Sequence, residues 1–181
     1  IGPCMLPVDA EGNPLMNAVL YGVDTRAAAE IEELTAEIGA DKLLATGGNA
    51  LTSQSVGPKI LWLRRNRPDV FERAAYFLNS TSFLVRRLTG ETVIDHYSAA
   101  GFSPLYDVAQ MDWVDSCAAP ICGRDRLARL AWTTEIVGGV TAEAARRTGL
   151  AAGTPVIAGT IDAAAEAVSV GVRRPGQMML M

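Results

Sequence analysis

Asp162 stands where a carboxylate could do chemistry. The stretch Gly153-Thr154-Pro155-Val156-Ile157-Ala158-Gly159-Thr160-Ile161-Asp162-Ala163-Ala164-Ala165-Glu166-Ala167-Val168 reads as a turn, a short apolar strand, a bend and an Ala-rich helix. The acid falls where that helix begins. Gly159 lets the chain turn sharply after the strand without a Cβ penalty. The partial positive charge at a helix N-terminus favours the ionised form of an acid placed there. An ionised carboxylate over a bend, among small side chains that leave room for a ligand, suits a general base. Asp is also a preferred helix N-cap, and the local sequence leaves that plainer role open.

The elements that must position this acid can be followed along the chain. Cys4 to Asp9 reads as a strand, Glu11-Gly12-Asn13-Pro14 as a turn, and Leu15 to Tyr21 as a second strand, so a hairpin is expected. Asp24 and Thr25 start a helix with Ala28, Ile31, Leu34 and Ile38 at helical spacing, and Gly39 stops it. From Ala45 to Gly57 the chain is rich in Gly, Asn, Ser and Thr without period, a loop long enough to carry function. Pro58 opens a helix through Ile60, Leu61, Trp62 and Leu63 that ends before Pro68. Ala74 to Leu78 reads as a strand or as the approach to a helix over 80–88, which Gly90 closes. The stretch 95–107 reads as irregular, with short helical pieces over 112–119 and 124–130. Thr141 caps a helix over 141–148 with Gly149 at its end, and a strand over 155–158 leads to Asp162. This mixture of strands and helices points to an α/β layer architecture.

Bulk properties exclude several classes. The 181 residues carry a net charge of -4, against the basic face a nucleic-acid binder usually shows. Arg64, Arg65 and Arg67, the pair Arg86 and Arg87, the pair Arg146 and Arg147, and the pair Arg173 and Arg174 read as solvated helix edges or ends rather than one stripe. No apolar run approaches the roughly 20 residues that span a bilayer. Cys4, Cys117 and Cys122 lack the pairing of a disulfide framework, which fits a reducing compartment. With His96 the only histidine, no structural metal site is expected. The chain begins without an initiator Met, in a Gly-Pro turn, and stops within Met178-Met179-Leu180-Met181, so it reads as a segment of a longer protein.

The ordered set of motifs resembles the FGGY carbohydrate kinases. Met5 to Leu15 resembles the family's hairpin, and Asp24-Thr25-Arg26 its Asp-x-Arg. Thr46-Gly47-Gly48-Asn49 precedes Lys59-Ile60-Leu61-Trp62, similar to the family's Lys-x-x-Trp helix. Leu88-Thr89-Gly90 with Asp95 follows, then Gly153-Thr154-Pro155-Val156 and Gly159-Thr160-Ile161-Asp162, which matches the strand and catalytic aspartate. The resemblance covers nearly the whole chain.

It implies an actin-like (ribonuclease-H-like) ATPase fold, with residues 1–181 forming the later part of the N-terminal sugar-binding domain. An upstream phosphate loop and a C-terminal nucleotide domain would then lie outside this segment, which alone is not expected to turn over ATP. It implies ATP and Mg²⁺ as co-substrate and ion, a cytoplasmic setting, no nucleic-acid or membrane partner, and a homodimer as one possible assembly. On this resemblance Asp162 is the base that takes a proton from a sugar hydroxyl attacking the γ-phosphate, a reaction that needs positioning and charge neutralisation more than covalent help. Asp24, Gly2, Pro3 and Gln54 match substrate-facing positions, while no nucleotide-contacting residue is assigned. Arg26 is expected to brace Asp24 or the first helical turn, Asp95 to brace the loop near the cleft, and Lys59 and Trp62 to be architectural. For Asp24 the alternative is an N-cap, for Gln54 a solvated loop, and His96 reads as an ordinary loop histidine.

Two departures fall on substrate-facing positions. Gly22, next to Tyr21, stands where the family usually has a sugar-stacking Trp, and Ile1-Gly2-Pro3-Cys4 stands where xylulokinases have a histidine-bearing stretch. They fit the reaction class, a sugar kinase acting on a ketopentose or related polyol, and count against a strict xylulokinase. They also motivate a rival: a non-catalytic sugar-binding or regulatory relative.

Overall fold

Local punctuation sets the frame, and strand pairing closes it. In the computed structural model, residues 4–174 and 176–180 are described. The chain opens with strand β1 (Leu6–Val8) and passes through helices α1 (Ala28–Ile38), α2 (Ala40–Gly47), α3 (Val56–Asn66) and α4 (Pro68–Arg73). Strand β2 (Tyr76–Leu78), helix α5 (Ser80–Thr89), strand β3 (Val93–Asp95) and helix α6 (His96–Ala100) follow. Next come β4 (Tyr106–Asp107), β5 (Asp112–Trp113), α7 (Asp115–Ile121), β6 (Arg129–Ala131) and β7 (Ile136–Gly139). Helix α8 (Ala142–Thr148), strand β8 (Pro155–Ile157) and helix α9 (Asp162–Ser169) complete the order.

The expected helix stops hold. Gly90 and Gly149 close α5 and α8 in the left-handed conformation that glycine adopts without strain. Thr141 accepts the Ala144 N–H at 3.1 Å and caps α8. The arginines of α3, α5 and α8 sit in their last turns, where they complement the helix dipoles.

Other expectations are corrected. The segment 15–21 forms no continuous strand. It meets β1 through single bridges, Met5 with Val19 and Val8 with Pro14, because Pro14 has no N–H to extend a ladder. The regular partner of β1 is β2, antiparallel with Pro7 opposite Phe77. Helix α1 begins at Ala28 instead of Asp24, whose carboxylate accepts the Arg26 N–H at 3.1 Å and holds a turn. Residues 40–47 add helix α2, which shortens the expected loop to 48–55. The 124–130 stretch is a 3-10 turn at 124–126 followed by β6, which pairs in parallel with β3.

The core fills the space between α1, α3, α4 and the β1–β2 pair with Met5, Val8, Leu34, Ile60, Leu63 and Phe77. A smaller cluster of Val85, Val93, Ala131 and Ala158 lies where α5 meets the β3–β6 pair and the start of the bend after β8. Trp62, read from sequence as architectural, is half-buried, with the Arg26 guanidinium 4.7 Å above its ring. Burial pushes the Cys122 thiol up to about 12. Because the thiolate is the reactive form, iodoacetamide at neutral pH is expected to spare Cys122 in the folded protein and label it after denaturation. Mapping of the alkylated peptides by mass spectrometry checks this.

Candidate active site

The loop 48–55 closes on itself. The Thr52 N–H donates to the Ser55 hydroxyl at 3.1 Å, the Ser55 N–H donates to the Thr52 carbonyl at 2.9 Å, and the Gln54 N–H donates to the Thr52 hydroxyl at 3.2 Å. This serine and threonine turn chemistry satisfies the backbone locally. The Ser53 hydroxyl ties the loop to the Gly22 carbonyl at 2.9 Å. On the other side, the Lys59 ammonium donates to the Leu20 carbonyl at 2.6 Å and fixes the chain just before Tyr21.

Between these segments and α6 lies a cleft of about 480 Å³, with Tyr21, Asn49, Gln54, Tyr97, Ser103 and Ile161 among its walls. That volume suits a small polar molecule. Gly47 forms part of the floor, where a Cβ would come within 2.8 Å of the Ser103 hydroxyl oxygen. The Ser103 hydroxyl is buried and has no partner among the described residues. Two tyrosines, with amide and hydroxyl groups among the other lining residues, can offer the stacking and directional hydrogen bonding that recognise a carbohydrate.

Asp162 is the first residue of α9, and Ile161 holds the N-cap position in extended backbone. The N-cap alternative for Asp162 is thereby excluded. Its carboxylate is exposed and accepts the Ala163 N–H at 2.9 Å. It follows Ile161, which lines the cleft, directly in sequence.

Asp24 is held by Arg26. Arg26 grips its carboxylate through two hydrogen bonds of 2.8 and 2.7 Å. The Arg26 side chain holds the Asp24 carboxyl below the usual carboxylate range, against the opposing effect of burial. Burial lowers Lys59 from the usual lysine range, and the Asp24 charge opposes that shift. Asp24 is not an N-cap, because Ala27 occupies that position of α1. The structure therefore brings Gln54 and the residue before Asp162 to one cleft, while Asp24 is paired to Arg26 and is not among the residues that line it. Gly2 and Pro3 lie outside the described residues.

Sequence reasoning did not single out Asn49, Tyr97 or Ser103 as cleft residues. Asn49 stands at the end of the Thr46-Gly47-Gly48-Asn49 motif, which is the signal that could have marked it. Nothing near Tyr97 or Ser103 distinguishes them before the fold is known. Asp95 does more than the brace expected of it. It is buried and accepts hydrogen bonds from the Ser98 N–H and from the Thr133 and Thr160 hydroxyls. His96 joins the Tyr106 hydroxyl at 2.8 Å and packs 4.7 Å from the Trp132 ring. Among the described residues, no group of three or more His, Cys, Asp or Glu could hold a metal ion. None of their helices is long and apolar enough to cross a membrane.

This order of strands and helices belongs to the actin-like ATPase fold. Similarity to known proteins narrows the class. The N-terminal domain of the FGGY family of carbohydrate kinases matches residues 3–169, and the chain belongs to that family. It is 36% identical over 174 residues to the xylulose kinase of Escherichia coli (strain K12), covering 96% of this chain and 35% of that protein. It is 33% identical to the autoinducer-2 kinase of Klebsiella pneumoniae over 88% of this chain and 30% of that one. The crystal structure of xylulose kinase from Rhodospirillum rubrum superposes with a TM-score of 0.90 at 33% identity, over 96% of this chain and 36% of that chain. The chain thus spans about a third of the length of the curated relatives it matches.

Proposed function

We propose that this chain is the sugar-binding part of an ATP-dependent kinase that transfers the γ-phosphate to a hydroxyl of a small sugar or polyol. Asp162 at the start of α9, next in sequence to Ile161 of a polar cleft of about 480 Å³, is the observation that carries this reading. In the reaction, the Asp162 carboxylate accepts the proton of the sugar hydroxyl as that oxygen bonds to the γ-phosphorus. The bond from phosphorus to the bridging oxygen breaks, and ADP leaves. Tyr21 and Tyr97 hold the sugar between their faces, and Gln54 hydrogen-bonds its hydroxyls. Asp24, kept ionised by Arg26, orients Arg26 and the chain beside the cleft and leaves lone pairs for a sugar hydroxyl.

Among the described residues, no three or more His, Cys, Asp or Glu are grouped to hold an ion. Mg²⁺ fits as the ion carried on the phosphates of ATP, which it commonly reaches with few protein carboxylates. There it would neutralise developing phosphate charge.

The substrate class is a ketopentose such as xylulose. Gly22 puts no side chain where the family's stacking Trp would stand, so Tyr21 at the cleft wall takes over that surface. The relatives' names divide between xylulose and autoinducer-2, so both belong in the test. ADP release by the full-length protein is expected with one of D-xylulose, other ketoses, glycerol or autoinducer-2, and not with ATP alone. Sugar binding without any sugar-dependent ADP release would support the non-catalytic relative instead. Gln54→Ala is expected to raise the sugar KM about tenfold, the value of one lost hydrogen bond, with kcat within about twofold. Steady-state kinetics against the preferred sugar decides this.

A further inference from the structure

We infer that Asp95 is a positioning residue for Asp162, acting through the Thr160 hydroxyl; this rests on the reading of Asp162 as the base. Asp95 ends β3 and its carboxylate is 1% exposed. One oxygen accepts the Ser98 N–H at 3.2 Å and caps α6. The other accepts the Thr133 hydroxyl at 3.1 Å and the Thr160 hydroxyl at 2.8 Å.

A cap needs only the first of these contacts, and Asn or Ser serves as well in that role. Burying a carboxylate is costly unless hydrogen bonds compensate, so the second oxygen calls for its own explanation. Its donors belong to the segment after β6 and to the bend between β8 and α9. Thr160 lies two residues before Asp162.

The bend is held by a second element as well. The Thr81 hydroxyl, from the first turn of α5, donates to the Thr160 carbonyl at 3.2 Å. The Thr81 methyl lies where a Cβ on Gly159 would come within 2.9 Å, and Gly159 has φ +72°. Thr160 is therefore held through both its hydroxyl and its carbonyl at the point where the chain turns into α9. A general base must lie within hydrogen-bond reach of the proton it takes. The clamp sets the direction from which α9 presents Asp162 to the cleft.

The test is steady-state kinetics and thermal unfolding of the full-length protein with Thr160→Val, Thr160→Ser, Asp95→Asn and Asp162→Asn. Thr160→Val keeps the shape and removes the hydroxyl. It is expected to lower kcat about 10- to 100-fold, the scale of a small misplacement of a catalytic group, with the sugar KM within about twofold. Thr160→Ser restores the hydroxyl and is expected to restore kcat. Asp95→Asn with Thr160→Val should be no slower than the worse single variant, because both act through one contact. If Asp162→Asn collapses turnover while Thr160→Val keeps wild-type kcat, the positioning role is wrong and the base stands. A Thr160→Val that raises KM with kcat intact overturns it too, since the group then serves binding. If Asp162→Asn itself retains turnover, the base assignment fails, whatever Thr160→Val does.

Discussion

Asp162→Asn in the full-length protein is expected to reduce sugar-dependent ADP release by about 10²- to 10⁴-fold, the contribution of a positioned general base. The amide matches the carboxylate in size and still accepts the Ala163 N–H through its oxygen, a contact now made at 2.9 Å. The start of α9 should therefore keep its geometry, and the unfolding temperature should move little. An exposed acid carries little packing energy. The variant loses the ability to accept a proton. The sugar KM should stay close to that of the wild type, because the cleft is walled by Tyr21, Gln54, Tyr97 and their neighbours. Loss of kcat at constant KM is the mark of an interaction made in the transition state. Near-normal turnover by a folded Asp162→Asn protein would remove Asp162 from the chemistry.

Phe77→Ala is expected to cost about 3–5 kcal/mol of folding stability, from lost burial and from the cavity left behind. Phe77 is 1% exposed in the middle of β2, opposite Pro7 of β1, and stacks on Phe71 with ring centroids 5.7 Å apart. Domains of ordinary size hold a net stability of about 5–15 kcal/mol, so the loss is a large share of the total. Phe77→Leu keeps most of the volume and should cost less than about 1.5 kcal/mol. Phe77 does not line the cleft, so the kcat and KM of the protein that remains folded should be unchanged. Thermal unfolding and kinetics below the transition separate the two effects. An unfolding temperature equal to that of wild type would show that the β1–β2 pair is not packed as described.

The parts of the fold legible in sequence are those set within a few residues. The Thr141 cap and Gly149 stop delimit α8, and Gly90 ends α5, because a cap or left-handed stop involves atoms no more than one helical turn apart. The bend at Gly159 and the acid at the head of α9 are of the same kind. So is the grip of Arg26 on Asp24, two residues away, which follows from an acid and a guanidinium at that spacing in a turn.

The parts not legible depend on distant surfaces. Residues 124–130 look helical by local pattern, yet Arg129–Ala131 becomes β6 because β3 offers a parallel edge whose Val93 packs against Ala131. The β1 strand passes over its sequence neighbour for β2, since Pro14 interrupts one ladder while Phe77 and Leu78 bury a large apolar face in the other.

The same division runs through the site. Sequence alone determined that an acid would stand at a helix start after a glycine bend, and that a polar loop would lie within residues 45–57. Only the tertiary structure decided that Tyr21, Gln54, Tyr97 and Ile161 share one cleft, and that Asp95 takes hydrogen bonds from Thr133 and Thr160, 38 and 65 residues along the chain. Local geometry restricts a hydroxyl or carboxylate to the few partners within reach of its own turn. Between distant segments, many pairings are sterically open, and the one that forms is the one that buries the most apolar surface while leaving its polar groups bonded.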